Sequence, residues 1–534
     1  MSIDKPISKT SFALTTPLYY VNGLPHIGSA YTTMIADAIA RWYRLSGHEV
    51  MFVTGTDEHG QKIQRTAEEK GVNPQEHCDR ISQQFQDLWH KLDIKFDRFS
   101  RTTASNHQAI VNEFFARVQK SDDIYLAQQQ GWYCVACEEF KEKRELTEDG
   151  FCPIHTNQKV EWRDEENYFF RLSRYQQQLE ELYTKNPDFI QPESRRNEVI
   201  NFVKQGLQDF SISRVNVSWG FPIPDDPKHT IYVWFDALLG YISALLDEND
   251  PPTLENALKK WYPFNLHLIG KDILRFHAVY WPAMLMSAQL PLPKQVFGHG
   301  FLTKDGKKMG KSLGNTLDPF SLVEKYGSDA VRYYFLKEIE LGEDGDFNEI
   351  RFVNTLNADL ANDLGNLLNR SLGMLKKYCK GVLPPITRTD ISEENEVKQI
   401  GKSLENKVIE AYQNYRFSSL CQEVLNLIRS CNKFIDESQP WSLYKQGEQK
   451  EVEKILYVVL ESVRFAGFSL APIIPNISNK IYTQLGFNFD FNQKDLGLKS
   501  NISNEHRQWG ILPINQELPK AEPIFARLEV PENK

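Results

Sequence analysis

The spacing of apolar positions changes several times along the chain, and each change predicts a different kind of unit. In the first fifty-five residues an apolar run, SFALTTPLYY, gives way to the turn-forming VNGLPHIG. Met34, Ile35, Ala38, Ile39, Trp42 and Leu45 then recur at threes and fours, and a second apolar run, HEVMFVTG, follows. Short runs rich in aromatic and β-branched residues read as strands and the intervening spacing as one buried helix face, so the segment predicts a β-α-β unit. Such units build parallel sheets by right-handed crossovers and bind ligands beyond the carboxyl ends of their strands, where PHIG and TGTDEHG fall. The same texture returns in HTIYVWFDALLGY, NLHLIGKDILRFHAVYWPAML and KQVFGHGFLTKDGKKMGKS. One sheet assembled from two separated stretches is therefore expected.

Between them, over residues 119–225, short aromatic and polar stretches with clustered cysteines read as an inserted domain. From residue 351 onward Leu356, Leu360, Leu364, Leu367, Leu368, Leu372 and Leu375 fall at helical spacing, and similar runs continue to about residue 486. This end predicts a helix bundle, closed by a Pro- and Asn-bearing tail that folds back or frays. The expected divisions are 1–118 and 226–312 for the two halves of the sheet domain, 119–225 for the insert, 313–350 for a linker and 351–534 for the helical domain.

Composition narrows the class. At 534 residues the chain exceeds what a single core supports. No window approaches the ~18 uncharged apolar residues of a membrane helix, so no membrane partner is expected. The start MSIDKPISKTSFALTT has neither a secretory nor a transit character, and a cytoplasmic location is expected. Three of the seven cysteines crowd between Cys134 and Cys152 while the others are scattered, which suits metal binding and buried thiols better than disulfides. A net charge of −9 gives no general sign of a polyanionic partner, although one local basic face would be enough.

Two glycine-bearing stretches carry candidate chemistry. In PHIG, Gly28 lets a flat ligand approach the backbone, and the helix that follows turns its N–H groups and positive dipole end toward an anion. His26 can donate to phosphate oxygens as charge builds on them in a transition state. In KDGKKMGKS, Lys308 and Lys311 stand three apart among Gly306, Gly310 and Gly314, a loop able to bring two point charges onto a leaving pyrophosphate. Either stretch alone also reads as an ordinary loop. In this order, on two halves of one sheet, they predict a nucleotide triphosphate site.

The insert contains YCVACEEFKEKRELTEDGFCPIH, in which Cys134, Cys137, Cys152 and His155 form two pairs with two-residue gaps. Three thiolates and one imidazole satisfy tetrahedral zinc and leave no open position, so one structural Zn²⁺ is expected rather than a catalytic one. In the helical end, NDLGNLLNRSLGM puts Asn366 and Arg370 four apart on one face, opposite the leucine stripe. An amide and a guanidinium displayed together can read splayed single-stranded bases, or simply face water.

HIGS at residues 26–29 and KMGKS at residues 308–312 each stand one residue from the paired signatures HIGH and KMSKS. With them the chain resembles the class I aminoacyl-tRNA synthetases, and among these the methionyl-tRNA synthetases, over essentially its whole length. The resemblance implies activation of L-methionine by ATP to methionyl-adenylate and pyrophosphate, then transfer to the 3′-terminal ribose of tRNA(Met), the initiator included. It assigns ATP binding to His26, Gly28, Ser29, Asp272, Lys308 and Lys311, with His26, Lys308 and Lys311 catalytic and Mg²⁺ accompanying the nucleotide. It assigns the methionine slot to Pro17, Leu18, Tyr20, Trp234, Ala237, Tyr241, Phe276, His277 and Trp281, with Asp57 on the ammonium group and the Tyr241 hydroxyl or Leu18 N–H as donors near the sulfur. Asn366, Arg370 and Trp441 match the family's anticodon readers. Ser29 for histidine loses one imidazole, and Gly310 for serine loses one hydroxyl. The insert is too short for a hydrolytic editing domain, residues 313–350 become a stem-contact linker, and a monomer is expected. The expected fold is thus α/β: a Rossmann-type doubly wound parallel sheet split by a zinc-containing insertion and followed by an all-α helix-bundle domain.

Overall fold

A computed structural model of the chain describes residues 11–135, 138–141, 143–153, 159–215, 217–309, 315–499 and 502–531. Strand β1 (Ser11–Tyr20) and strand β2 (Glu49–Asp57) pair in parallel across helix α1 (Ile27–Leu45), as the apolar pattern predicts. With β3 (Arg98–Arg101) and the strands Leu266–Gly270, Val296–His299 and Ile190–Gln191 they form one six-stranded sheet in which every pairing is parallel. Its order is β3, β2, β1, Leu266–Gly270, Val296–His299, Ile190–Gln191. Parallel strands are covered on both faces, and the unbroken apolar runs Phe12–Leu14 and Met51–Val53 meet that demand. The order reverses direction between β1 and Leu266–Gly270, which opens a crevice beyond the carboxyl ends of those two strands.

The stretch read as an insert is tied back to this sheet, since Ile190–Gln191 supplies the sixth strand. The rest of the stretch includes a four-stranded antiparallel sheet in the order Glu139–Lys141, Ile124–Cys134, Glu161–Phe170, Phe210–Ser211.

Helix α1 is buried almost all round rather than along one stripe. Its large apolar residues mark the stripe that periodicity reveals, while Ala36 and Ala40, small enough to escape a hydrophobic count, are equally buried. The helix is clamped between the sheet and the helical domain, where Trp42 stacks on Tyr412 at 4.3 Å and 9°.

The helical domain opens with helices running without a break from Glu349 to Cys379, the stretch Asn357–Asn366 being wound as a π-helix. All seven leucines of the predicted stripe are buried. Helices Glu396–Gln413, Phe417–Ser438, Gln449–Leu470 and Pro475–Gln484 complete the bundle. The tail folds back over it: Leu383 N donates to Gln516 O at 2.8 Å, and Asn357 and Leu528 exchange two hydrogen bonds of 2.9 and 2.8 Å. Among the described residues no helix is long and apolar enough to cross a membrane.

Leu368 is fully buried in this stripe. Leu368→Ala should cost about 2–5 kcal/mol, the range for an interior leucine, and lower the urea midpoint, while Lys376→Ala on the exposed face should leave it unchanged.

Candidate active site

The helix mouth is built by His26 itself. It caps α1, its Nδ1 accepting from Gly28 N at 3.1 Å and Ser29 N at 3.3 Å. Accepting at Nδ1 puts the neutral ring's proton on Nε2, so the exposed imidazole offers a donor polarised by the two helix N–H groups behind it. Gly28 leaves room for this fold-back, since a Cβ there would lie 3.0 Å from the His26 ring and crowd it. Ser29 closes the capping box: its Oγ accepts from His26 N at 3.1 Å and donates to His26 O at 2.7 Å. The hydroxyl is buried in holding the helix start, with only 2% of the residue exposed.

The second half of the sheet is fastened to this turn. His299, at the end of Val296–His299, donates from Nδ1 to Gly300 O at 2.8 Å, so its Nε2 accepts from the Thr32 hydroxyl at 2.7 Å. Asp272 lies just beyond Leu266–Gly270 with its carboxylate folded toward Gly270, where a Cβ would come 2.5 Å from Oδ1. Strands Leu302–Lys304 and Lys307–Lys308 form a hairpin through Asp305 and Gly306, both at positive φ, the Asp-Gly pairing that a tight hairpin turn requires. Lys308 pairs with Thr303 in this hairpin, and Lys311 lies outside the described residues.

Beside the mouth is a recess at the switch point of the sheet. Pro17, Leu18, Asp57, Trp234, Ala237, Tyr241 and His277 line it, together with Leu238 and Ile273. Of the other expected residues, Phe276 stacks flat on Trp234 at 3.9 Å, Tyr20 donates to Glu138 Oε1 at 2.9 Å, and Trp281 is fully buried behind the wall against Phe114. His277 donates from Nδ1 to Ile273 O at 3.0 Å, and burial pushes it down to about 4, so the ring is neutral near pH 7. Its Nε2 therefore accepts the Tyr241 proton at 2.8 Å, and the Leu18 backbone bonds the Tyr241 oxygen. The two groups expected as donors to a ligand are thus engaged with the wall in the ligand-free chain.

One polar group in the recess is unsatisfied. Asp57 is 7% exposed, and its Oδ1 is buried with no hydrogen-bond partner. Burial, with the carboxylates of Asp236 and Glu138 close by, holds it well above the usual carboxylate range, against the bond from the His59 backbone. Among the described residues no Lys, Arg or His forms an ion pair with it, and a buried carboxylate oxygen in that state lacks the partner that would offset its burial.

Behind the recess stands a cluster that sequence reasoning missed. Asp236 Oδ2 meets His59 Nδ1 at 2.6 Å and its Oδ1 meets His107 Nε2 at 2.9 Å, while His107 Nδ1 reaches Ser243 Oγ at 2.8 Å. Burial would raise Asp236, yet the two imidazoles hold it at about 2. Asp236 sits between Trp234 and Ala237 on the helix Val233–Ser243, and His59 is two residues past Asp57, so the cluster clips the recess helix to the loop bearing the carboxylate. A lone acid inside the apolar run VWFDALLGYIS was the available signal.

The thiols of Cys134 and Cys152 are buried, at 2% and 0% exposure. Cys134 ends a strand at its pairing with Glu139, and Cys152 follows Phe151, which bridges Lys159, so each stands at a chain reversal. Cys137 and His155 lie outside the described residues, among which no group of three metal-ligating side chains occurs. Two buried thiols beside reversals are the donor chemistry that a structural zinc uses. In the helical domain Arg370 lies over the Trp441 ring at 5.4 Å and pairs with Asp436 at 2.8 Å, with Asn366 exposed one turn away.

Comparison with known proteins gives a consistent picture. A family profile described as tRNA synthetases class I (M) matches residues 12–160 and 149–372, and one described as the anticodon-binding domain of tRNA ligase matches residues 402–523. The methionine–tRNA ligase of Synechocystis sp. is 65% identical over 525 residues, 98% of this chain and 99% of its own. That of Nostoc sp. is 66% identical over 533 residues, 100% of both chains. The methionyl-tRNA synthetase of Mycobacterium tuberculosis in complex with methionyl-adenylate superposes with a TM-score of 0.89 at 38% identity, covering 97% of this chain and 100% of that one.

Asp236→Asn should lower stability near neutral pH by about 1–3 kcal/mol, the range for leaving buried hydrogen-bonding partners unsatisfied. A carboxylate held low in the folded state stabilises above its unfolded value near 4 and ceases to do so as pH falls toward 2. The urea-unfolding gap between variant and wild type should therefore close over that window.

Proposed function

Because the chain belongs to the methionyl-tRNA synthetases, which join methionine to tRNA with ATP as the energy source, we propose that the recess takes the methionine side chain, Asp57 its ammonium group and the His26 helix mouth the triphosphate. The observation that carries this reading is the unpartnered Asp57 Oδ1 in an otherwise apolar slot. A thioether is a weak acceptor, so a wall whose own donors are already engaged selects it by shape and aromatic contact. The carboxylate of methionine attacks the α-phosphate in line, the bond to the β-phosphate oxygen breaks, and pyrophosphate leaves. Its growing charge is met by His26 Nε2–H and by the ammonium groups of Lys308 and Lys311, with Mg²⁺ arriving as part of the nucleotide substrate. Asp272 holds the nucleotide beside the strand end. A terminal ribose hydroxyl of tRNA then attacks the mixed anhydride and AMP departs. No side chain acts as nucleophile in either step.

On the same reading Cys134, Cys137, Cys152 and His155 hold one structural Zn²⁺, whose chemistry is to join two chain reversals of the insert by four bonds. Asn366, Arg370 and Trp441 receive the anticodon, the indole offering a stacking plane beside the guanidinium. The enzyme works as a cytoplasmic monomer.

ATP–pyrophosphate exchange across a panel of amino acids tests the reading. Exchange should depend on methionine, and exchange driven equally by another amino acid would contradict it. The Asp57 assignment has its own signature. Only the ionised carboxylate pairs with an ammonium group, and its value is raised, so methionine affinity should decline with falling pH while still above the ordinary carboxylate range. Asp57→Asn should bind methionine weakly at every pH and lose this dependence, as read by equilibrium titration.

A further inference from the structure

A second cavity lies at the other end of α1, roughly 28 Å from His26 along the helix. It opens at the junction of the two domains, between Arg41, Arg44 and Lys95 on the catalytic side and Asn492 and Lys494 on the other, and among the described residues no carboxylate lines it. The cations here outnumber the acids that hold them. Asp37 is shared by Arg41 and Arg332, each at 2.7 Å, and Asp97 by Arg44 at 2.5 Å and Lys494 at 2.8 Å. Lys95 adds a fifth positive charge. The carboxylates of Asp93 and Asp329 make their hydrogen bonds to Ser328, Asn476 and the Ile477 N–H, and Asp329 also acts through space on Arg332 and Arg41. This leaves Arg44, Lys95 and Lys494 as the cations facing the cavity, with Asp97 alone beside them among the described residues.

The guanidinium groups are fixed in advance. Arg41 and Arg44 expose only 5% and 6% of their side chains, and backbone carbonyls hold them: Phe491 O at 3.1 Å and Asp93 O at 2.5 Å for Arg41, Lys95 O at 2.9 Å for Arg44. A second, independent observation concerns Asn492. Its Nδ2 donates to Asn476 Oδ1 at 3.0 Å, while its own Oδ1 is buried and accepts nothing. Surplus positive charge in a preformed cavity calls for an anion, and an orphan acceptor in the same wall calls for a donor. Hydrogenphosphate supplies both. Sulfate and an RNA phosphodiester supply only the charge near pH 7.

We propose that this cavity binds free inorganic hydrogenphosphate, held by Arg44, Lys95 and Lys494 with its O–H on Asn492 Oδ1, and that the bound ion ties the end of the His26 helix to the 491–494 segment. Calorimetric titration of inorganic phosphate and of sulfate into the full chain tests this, with Lys95→Gln/Lys494→Gln as the first variant and Asn492→Ala as the second. Lys95 and Lys494 lie at the rim, and an unchanged melting temperature without phosphate verifies the fold. Any phosphate taken up at the nucleotide mouth is common to all three proteins and cancels in the comparison. The wild type should show a phosphate site that the double variant binds at least about tenfold more weakly, since hydrogen bonds to charged groups are worth that much. Phosphate should exceed sulfate in the wild type, and Asn492→Ala should erase that preference. Identical phosphate isotherms in wild type and double variant would overturn the site. A wild type that binds sulfate as tightly as phosphate would overturn the donor assignment. A double variant with an unchanged phosphate isotherm and a shallower salt dependence of tRNA binding would give the cavity to RNA backbone instead.

Discussion

A carboxylate with one oxygen buried and unpartnered is the constraint around which the catalytic unit is arranged. Asp57 ends β2 beside the sheet's switch point, and burial, Asp236 and Glu138 all make its ionisation harder, against the bond from the His59 backbone. Such a group weakens the fold for as long as it has no partner. The surrounding structure keeps it in place nonetheless. The His59 backbone points at Asp57 while the His59 ring is anchored to Asp236, and Asp236 is anchored again to His107. The same helix that carries Asp236 carries Trp234, Ala237 and Tyr241 to the recess.

The second requirement is that two distant pieces of chain share one crevice. Parallel pairing of β1 with Leu266–Gly270 meets it, since those strands are some 250 residues apart in sequence and end side by side, with Asp57 on the neighbouring β2. Thr32 and His299 then lock the second turn of α1 to the second half of the sheet. His26 is therefore placed from three sides: by its own helix, by the Ser29 capping box and by this cross-link. At position 29, the N3 place of α1, the serine hydroxyl has a local use: it returns to the His26 backbone and closes the capping box.

Much of this was legible in the sequence, and what was missed has identifiable causes. Continuous apolar runs and 3.6-residue spacing predict the β-α-β unit and the leucine stripe, because the strands are buried on both faces and the helices along one. The same patterns could not reveal that α1 is covered on all sides, since Ala36 and Ala40 carry little hydrophobic signal. They also could not place Ile190–Gln191, a two-residue strand too short to have a period. The recess residues were reached through resemblance, and the aromatic ones divide in the structure: Trp234 and Tyr241 face the cavity, whereas Trp281 is packing behind it. Leu238 and Ile273 line the wall unannounced, as aliphatic residues in apolar runs always are. The His59, Asp236 and His107 cluster joins three segments, and no spacing rule links residues brought together only by the fold.

The claim on which the rest depends is that Asp57 is kept unsatisfied in order to receive a cationic amine at the mouth of an apolar slot. The most direct measurement is a binding cycle that pairs methionine and its des-amino analogue with wild-type protein and Asp57→Asn. The account predicts that removing the amine weakens binding to the wild type by two orders of magnitude or so, about 3 kcal/mol for a charge-assisted bond, and hardly affects binding to the variant. Equal losses in both proteins would contradict it, because the amine would then be held by something other than this carboxylate.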